Sequence, residues 1–154
     1  MRLWTCPLLL LMAAAVGCKE TPDDEGFREQ LEAVDYRNFA RAPGYESPRA
    51  ASTAPHGDFV DIYMNDVVVD ALANGPLDAP LDAWPDGSLI VKDGWGSADG
   101  DDWEFLAAME KRDQQWFWAE YRGGDEVIFA ALEDPTCTGC HDAGSDGVLA
   151  FTLP

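Results

Sequence analysis

The chain has 154 residues, enough for one compact domain, and its 29 acidic against 10 basic residues give a formal net charge of −19. So acidic a chain repels phosphates, which argues against nucleic-acid binding and against attachment to anionic lipid by charge. A basic protein partner or a small neutral molecule suits this charge better.

The N-terminus has the layout of an exported leader. Arg2 precedes an apolar run over 8–16, which is too short to span a bilayer as a mature helix, and small residues lead into Cys18. A basic start, an apolar middle and a small-residue cleavage zone are typical of a signal peptide. The ending VGC resembles a bacterial lipobox, in which the cysteine becomes the lipidated first residue. We therefore predict a signal peptide over 1–17 and a protein anchored through lipid on Cys18 at the periplasmic side, with Lys19 compatible with sorting to an outer membrane.

The rest of the chain is predicted to form a tether and one domain. Residues 18–26 are polar and acidic, as expected of a tether, and 27–154 should hold the folded domain. Apolar residues recur at helical spacing over about 27–41 before a Pro-Gly pair, which predicts an amphipathic helix there. The following stretch, 46–57, is small and proline-containing and should be irregular.

Most of the domain is predicted to be β-structure. Runs rich in β-branched and aromatic residues predict strands at 58–64, 88–95, 103–112, 115–122 and 126–132. Asn65 can cap a short helix after the first of these, and the gap at Asp113-Gln114 predicts a hairpin. We therefore expect a mainly β (α+β) fold, an antiparallel meander sheet with a few short helices.

The segment CTGCH follows the last predicted strand, close to the C-terminus. Once Cys6 leaves with the leader and Cys18 carries lipid, Cys137 and Cys140 are the remaining cysteines. Thiols at i and i+3 can form thioether bonds with the two vinyl groups of a haem, and the histidine beside the second thiol can ligate the iron. The sequence therefore predicts one haem c, attached through Cys137 and Cys140, with His141 as the iron ligand.

Three other roles of this cysteine pair compete with haem attachment. A thioredoxin-like motif would normally open a helix and be followed by further βα units, whereas only 14 residues follow Cys140. Zinc would need further ligands, and one distant histidine, His56, is a poor supply. A structural disulfide would leave the adjacent His141 without a role.

Several stretches resemble, in this order, the cytochrome P-460 family, whose relatives include the cytochromes c′-beta. They are APHGDFVDIYMNDVVVDAL, PDGSLIVKDGW, WFWAEY and CTGCH, and the resemblance covers roughly 27–150. It implies a small, mostly antiparallel β domain, typically dimeric, with one haem and an open distal side on the iron. In cross-linked members a lysine bonds covalently to the porphyrin, and Lys92 in PDGSLIVK occupies the matching place. A solvated lysine, or one that pairs with a haem propionate, is the competing interpretation of Lys92.

The second coordination position of the iron separates ligand binding from electron transfer. His56, Met64 and Met109 are the candidate sixth ligands, but His56 lies in a Pro-Gly loop and methionine in apolar strands is usually core. The resemblance also favours an open site. Aromatic side chains of the Phe105 and Phe129 kind are expected to line it.

These observations predict a periplasmic mono-haem c-type cytochrome that binds small ligands such as nitric oxide, exchanges electrons with a partner protein, or both. A hydroxylamine-oxidising enzyme with a lysine-cross-linked haem and a six-coordinate electron-transfer cytochrome are the alternatives. In the hydroxylamine-oxidising relatives a distal carboxylate is thought to help remove protons. Glu133, eight residues before His141, is the candidate in this chain, ahead of Glu120 and Glu104. A surface role is the competing interpretation for each glutamate.

Overall fold

A computed structural model describes residues 24–51, 55–74, 81–123 and 126–152 of the chain. The predicted signal peptide, Cys18 and most of the tether lie outside these residues. The elements, in chain order, are α1 (Asp24–Ala33), a 3₁₀ turn (Tyr36–Asn38), β1 (Ala40–Arg41), β2 (Arg49–Ala50), β3 (Phe59–Met64), α2 (Asp66–Asn74), β4 (Leu89–Trp95), β5 (Trp103–Arg112), β6 (Gln115–Arg122), β7 (Glu126–Leu132) and α3 (Pro135–His141).

The strands form one antiparallel sheet in the order β1-β3-β4-β5-β6-β7, and β2 also pairs with β3. From β3 onward each strand pairs with the next one along the chain, which confirms the predicted antiparallel meander with short helices. The β5–β6 hairpin turns at Asp113 and Gln114, which have φ values of 50° and 66°. Two left-handed residues are what a type I′ turn requires, and its twist matches that of the flanking strands.

The predicted helix over 27–41 was too long. The α-helix ends at Ala33, Asp35 adopts a left-handed φ of 48°, and the 3₁₀ turn and β1 follow. Tyr36 is buried by this change of direction, and its hydroxyl donates to the carboxylate of Asp93 at 2.7 Å. A long-range hydrogen bond therefore overrides the local helical spacing.

Two smaller expectations have different outcomes. The cap of α2 is confirmed, because the Asn65 side-chain oxygen accepts the backbone N–H of Val68 at 3.2 Å. The stretch 46–57 is not wholly irregular, since β2 pairs antiparallel with β3 at Arg49 and Val60. The stretch LDAPLDAWPDG at 77–87, which is expected to be a loop because it contains a Pro-Asp-Gly turn signal, lies partly outside the described residues.

The sheet buries a separate apolar cluster on each face. The front face is defined by Ile62, Ile90, Met109 and Trp118 and packs against α2 and α3, whereas the back face is defined by Leu89, Val91, Leu106 and Tyr121 and packs against α1. Alternation along the sequence of β4 predicts that Ser88, Ile90 and Lys92 share one face and Leu89 and Val91 the other. This is confirmed, because Ile90 and Leu89 fall into different clusters. No helix within the described ranges is long and apolar enough to cross a membrane.

Candidate haem-binding site

A cavity with a volume of about 600 Å³, open mouth included, lies between the front face of the sheet and α3. The lining comes from β4, β5, β6, β7, α3 and the loop before β3. Its members are Pro55, His56, Ile90, Lys92, Ala107, Ala108, Met109, Trp118, Ala119, Glu120, Phe129, Thr136, Cys137, Cys140 and His141.

Helix α3 carries both cysteines and the histidine to the cavity. The carboxylate of Asp134 accepts the backbone N–H of Thr136 at 2.8 Å, and a proline in the first turn favours helix initiation at this point. Cys137 is buried and Cys140 is exposed, and both are free thiols. A Cβ atom placed on Gly139 would meet nothing within 4 Å, so the backbone between the thiols leaves room beside it.

Burial, followed by the nearby Asp134 carboxylate, raises the pKa of the Cys137 thiol to about 12. A thiol with this pKa is fully protonated at neutral pH. Cys137 is therefore a neutral, apolar-packed thiol before any reaction.

His141 is held in one tautomer. Its Nδ1 lies 2.6 Å from the carbonyl oxygen of Gly147, and because a carbonyl only accepts, Nδ1 must carry the proton and donate. Burial lowers the pKa of the His141 imidazole, so the neutral ring with a lone pair on Nε2 is favoured. The ring also packs edge-on against Trp118, with centroids 4.7 Å apart. A neutral imidazole with its other nitrogen bonded to a carbonyl is the form in which histidine ligates metals.

Lys92 reaches the same cavity from β4. Its side chain makes no hydrogen bond to any of the residues that the structure describes. Burial lowers the pKa of the Lys92 amine, and the charge of Glu120 acts in the opposite direction.

Glu120 and His56 form the polar part of the cavity. Glu120 is only 4% exposed, and its Oε1 lies 3.3 Å from Nδ1 of His56. The angles at this contact do not make a hydrogen bond, and Nδ1 of His56 has no such partner among the described residues. A carboxylate and an imidazole therefore share the cavity without the hydrogen bonds that buried polar groups normally have.

The structure does not bring Glu133 to this cavity. Glu133 follows β7 in a left-handed conformation with φ 48°, and its carboxylate accepts the backbone N–H of Trp116 at 2.6 Å. The turn therefore directs the side chain back along β6 and away from the thiols. Of the three glutamates considered from the sequence, Glu120 lies in the cavity, and neither Glu133 nor Glu104 lines it.

Some of the candidate sixth ligands and aromatic residues line the cavity, and others do not. Met109, His56 and Phe129 line the cavity, whereas Met64 is buried in the apolar cluster of the front face without reaching it. Phe105 does not line the cavity either and lies under the guanidinium of Arg122.

Two residues near His141 were missed by the sequence analysis. Lys111 is 3% exposed and pairs with Asp146, which precedes the glycine that binds His141. The only signal in the sequence was the Gly-containing stretch DAGSDG after the motif, and a lysine in a strand gives no hint of burial.

The residues that meet here fit a covalently attached haem. A c-type haem needs two thiols on one helical turn, an adjacent imidazole with a free Nε2 lone pair and a mainly apolar surface, and all of these meet here. Within the described part of the chain, no group of three or more His, Cys, Asp or Glu side chains is arranged to hold a bare metal ion.

No family model matches the chain, and no curated protein matches it with significance. The resemblance to the cytochrome P-460 family therefore depends on the quoted sequence stretches.

Proposed function

We propose that this protein is a lipid-anchored periplasmic cytochrome with one haem c and an open iron site, similar to the cytochrome P-460 family, that binds small ligands such as nitric oxide and exchanges electrons. The observation that carries the proposal is the convergence of Cys137, Cys140, His141 and Lys92 on one cavity. A chance CxxCH sequence has no reason to face a cavity that is also lined by a lysine and by apolar side chains. When bound, the haem supplies a redox-active iron with a coordination position for a small ligand.

Each group of residues at this site has a separate role. The two thiols anchor the haem, and His141 offers Nε2 as the iron ligand because Nδ1 is occupied by Gly147. Ile90, Phe129 and the small side chains of β5 supply apolar surface that excludes water. Such a lining restricts access by size and offers few hydrogen bonds to a bound ligand.

Glu120 favours a second candidate function, the oxidation of hydroxylamine. This reaction removes protons as well as electrons, and a positioned carboxylate can accept a proton as a general base. Glu120 is buried in the cavity 3.3 Å from His56, whose side chain is 20% exposed. Lys92 faces the same cavity, where the lysine cross-link of this alternative would form.

The haem proposal is tested by expression of the full chain together with the c-type maturation machinery. The product should be coloured, and the haem should survive acid-acetone extraction, because thioether bonds are not broken by it. A colourless protein, or haem that is lost on extraction, would overturn the proposal.

The open site is tested by carbon monoxide. Ferrous protein should bind it and change its spectrum, since no side chain has to be displaced. If the ferrous spectrum is six-coordinate and low-spin and no ligand binds, the electron-transfer alternative replaces the open site. His56→Ala and Met109→Ala would then identify the sixth ligand, since both residues line the cavity.

Export and anchoring rest on the N-terminal sequence alone. Cells fed a labelled fatty acid should label the protein, and Cys18→Ala should abolish the label. An unlabelled wild-type protein in the soluble fraction would contradict the anchor. The net charge of −19 suits a basic redox partner, whose association should weaken as salt is added.

A further inference from the structure

The turn at 145–148, which follows α3, is closed by its own backbone. The N–H of Ser145 donates to the carbonyl of Val148 at 2.9 Å, and the N–H of Val148 donates back to Ser145 at 3.2 Å. The two central residues, Asp146 and Gly147, have left-handed φ values of 46° and 79°. This is the pattern of a type I′ turn, for which an Asp-Gly pair is among the preferred sequences.

Two tryptophans hold the turn from outside. Trp84 donates its ring N–H to the carbonyl of Ser145 at 3.0 Å and its backbone N–H to the Asp146 carboxylate at 2.8 Å. Trp116 donates its ring N–H to the backbone carbonyl of Asp146 at 2.8 Å. A Cβ atom at Gly147 would come within 3.3 Å of the Trp116 ring, so the turn packs tightly against it.

Lys111 completes this support from strand β5. Its Nζ lies 2.9 Å from both carboxylate oxygens of Asp146 and 4.9 Å from the centre of the Trp116 ring. The lysine is almost fully buried and does not line the cavity that holds the thiols. A buried charge pair is retained only where its geometry is satisfied, and loss of one partner strands the other.

The supported turn presents one group to the site, the carbonyl of Gly147, which accepts from Nδ1 of His141. We propose that Lys111 and Asp146 are positioning residues for His141, which lock the turn so that Gly147 fixes the tautomer, the plane and the donor strength of the imidazole. This inference rests on the proposed function for its effect on iron, since neither side chain touches the cavity.

The expected consequence for iron follows from the hydrogen bond. A carbonyl that accepts from Nδ1 makes the imidazole a stronger electron donor, and a stronger donor stabilises the ferric more than the ferrous state. When the turn is released, this hydrogen bond weakens. The midpoint potential should then rise.

The experiment uses the haem-loaded full chain with Lys111→Met. A redox titration should show a midpoint potential above that of the wild type, and resonance Raman should show a lower iron–histidine stretching frequency. Arg37→Met is the matched control, because Arg37 pairs with the buried Asp93 on the opposite face of the sheet. It should lower the melting temperature and leave both readouts at their wild-type values.

A second variant tests the inference even if Lys111→Met does not fold. Asp146→Asn keeps an acceptor for Trp84 and tolerates the left-handed backbone, but it removes the charge that Lys111 binds. Asp146→Asn should raise the midpoint potential by less than Lys111→Met does. Wild-type potential and frequency in both variants would overturn the inference.

The tautomer of His141 can also be measured in the protein without haem. The chain has two histidines, so the nitrogen-15 spectrum is simple. In haem-free full chain His141 should be the Nδ1–H tautomer, and Lys111→Met should populate the Nε2–H tautomer. An unchanged tautomer would contradict the positioning role. If the wild type attaches no haem but the tautomer shifts as expected, the proposed function fails while the positioning role of Lys111 and Asp146 stands.

Discussion

Polar side chains that line the cavity lack the hydrogen bonds that Asp93 makes on the back face of the sheet, and neighbouring residues of β4 show the contrast. On the back face, Asp93 is fully buried and accepts four hydrogen bonds from three side chains. They come from the Tyr36 hydroxyl at 2.7 Å, the Arg37 guanidinium at 2.8 and 3.3 Å and the Trp103 ring N–H at 2.9 Å. On the front face, Lys92 has no hydrogen bond to a described residue. Lys92 therefore lacks the hydrogen bonds that Asp93, the next residue in the chain, makes.

Asp61 and Tyr63 on the back face differ in the same way from His56 and Trp118 beside the cavity. On the back face, the buried Asp61 is paired with Arg41, and burial followed by the Asp61 charge raises the pKa of Tyr63 to about 12, so its hydroxyl stays protonated. On the front face, the imidazole Nδ1 of His56 and the ring N–H of Trp118 are buried without hydrogen-bond partners among the described residues. Satisfied polar groups stabilise a fold, whereas unsatisfied ones beside a cavity destabilise it and indicate a binding site.

The largest effect is expected from removal of both thiols. Cys137→Ala combined with Cys140→Ala should eliminate covalent haem, because each thioether bond needs a thiol. Haem stain after denaturing electrophoresis measures this directly. Thr138→Ala, between the two cysteines, should retain the stain. Covalent haem in the double variant would place the attachment elsewhere.

On the back face, Asp93→Ala should destabilise the protein by about 1–3 kcal/mol, because it leaves the buried hydroxyl of Tyr36 without its acceptor, whereas the half-exposed guanidinium of Arg37 can be hydrated. Denaturant unfolding measures the change, and the fraction that folds should still carry haem. Asp99→Ala, at an exposed position, should stay within about 0.5 kcal/mol of the wild type. If Asp93→Ala is as stable as the wild type, the back-face network does not have the structural role assigned to it.

On the front face, Glu120→Gln should reduce hydroxylamine turnover by about 10²–10⁴-fold under the second candidate function, because an amide cannot accept the proton. Haem content should not change. Glu133→Gln is the control, since Glu133 binds the backbone of Trp116 outside the cavity, and its turnover should be close to that of the wild type. Equal turnover in wild type and Glu120→Gln would exclude Glu120 as the base.

The smallest effect is expected at Lys92, in a haem-free host with both cysteines replaced by alanine. Lys92→Met should stabilise this host at neutral pH by at most about 1 kcal/mol, because the partly buried ammonium loses hydration and gains no hydrogen bond to a described residue. Burial lowers the folded-state pKa of Lys92 below its usual 10.5, so the native state binds fewer protons than the unfolded state in the window below that value. The stability contributed by Lys92 therefore rises with pH, and the advantage of Lys92→Met should shrink towards pH 10.5.

Denaturant unfolding at several pH values measures this difference. Glu120 opposes the shift, so Glu120→Gln in the same host should lower the pKa of Lys92 further and extend the window to lower pH. A pH-independent difference between Lys92→Met and its host would mean that Lys92 is solvated.

The strands were predictable because their signals are local. Alternation along β4 is a property of consecutive residues, and it correctly separated Ile90 from Leu89. The carboxylate that lines the cavity could not be identified from nearness in sequence. Glu133 is nearer His141 in sequence, but a left-handed turn directs it to Trp116, whereas Glu120 reaches the cavity from the same face of β6 as Trp118. The alternation of QWFWAEYR contained that information once Trp118 was known to face His141.

The support around His141 could not be predicted in this way. Lys111 and Asp146 are 35 residues apart, and their contact depends on how the end of β5 lies against the turn after α3. The early end of α1 has a similar cause, since Tyr36 is drawn to Asp93 across 57 residues. Pairings over such distances arise from tertiary packing, which residue patterns do not encode locally.

The central claim, a haem attached through Cys137 and Cys140, is tested most directly by mass spectrometry of a tryptic digest of protein matured with the c-type machinery. No lysine or arginine follows Arg122, so trypsin releases residues 123–154 as one peptide with both cysteines and His141. The account predicts that this peptide carries the mass of one haem, and a Lys92 cross-link would join it to a second peptide, 50–111, in which cleavage at Lys92 is blocked. An unmodified 123–154 peptide, with two free thiols or a disulfide, would contradict the account.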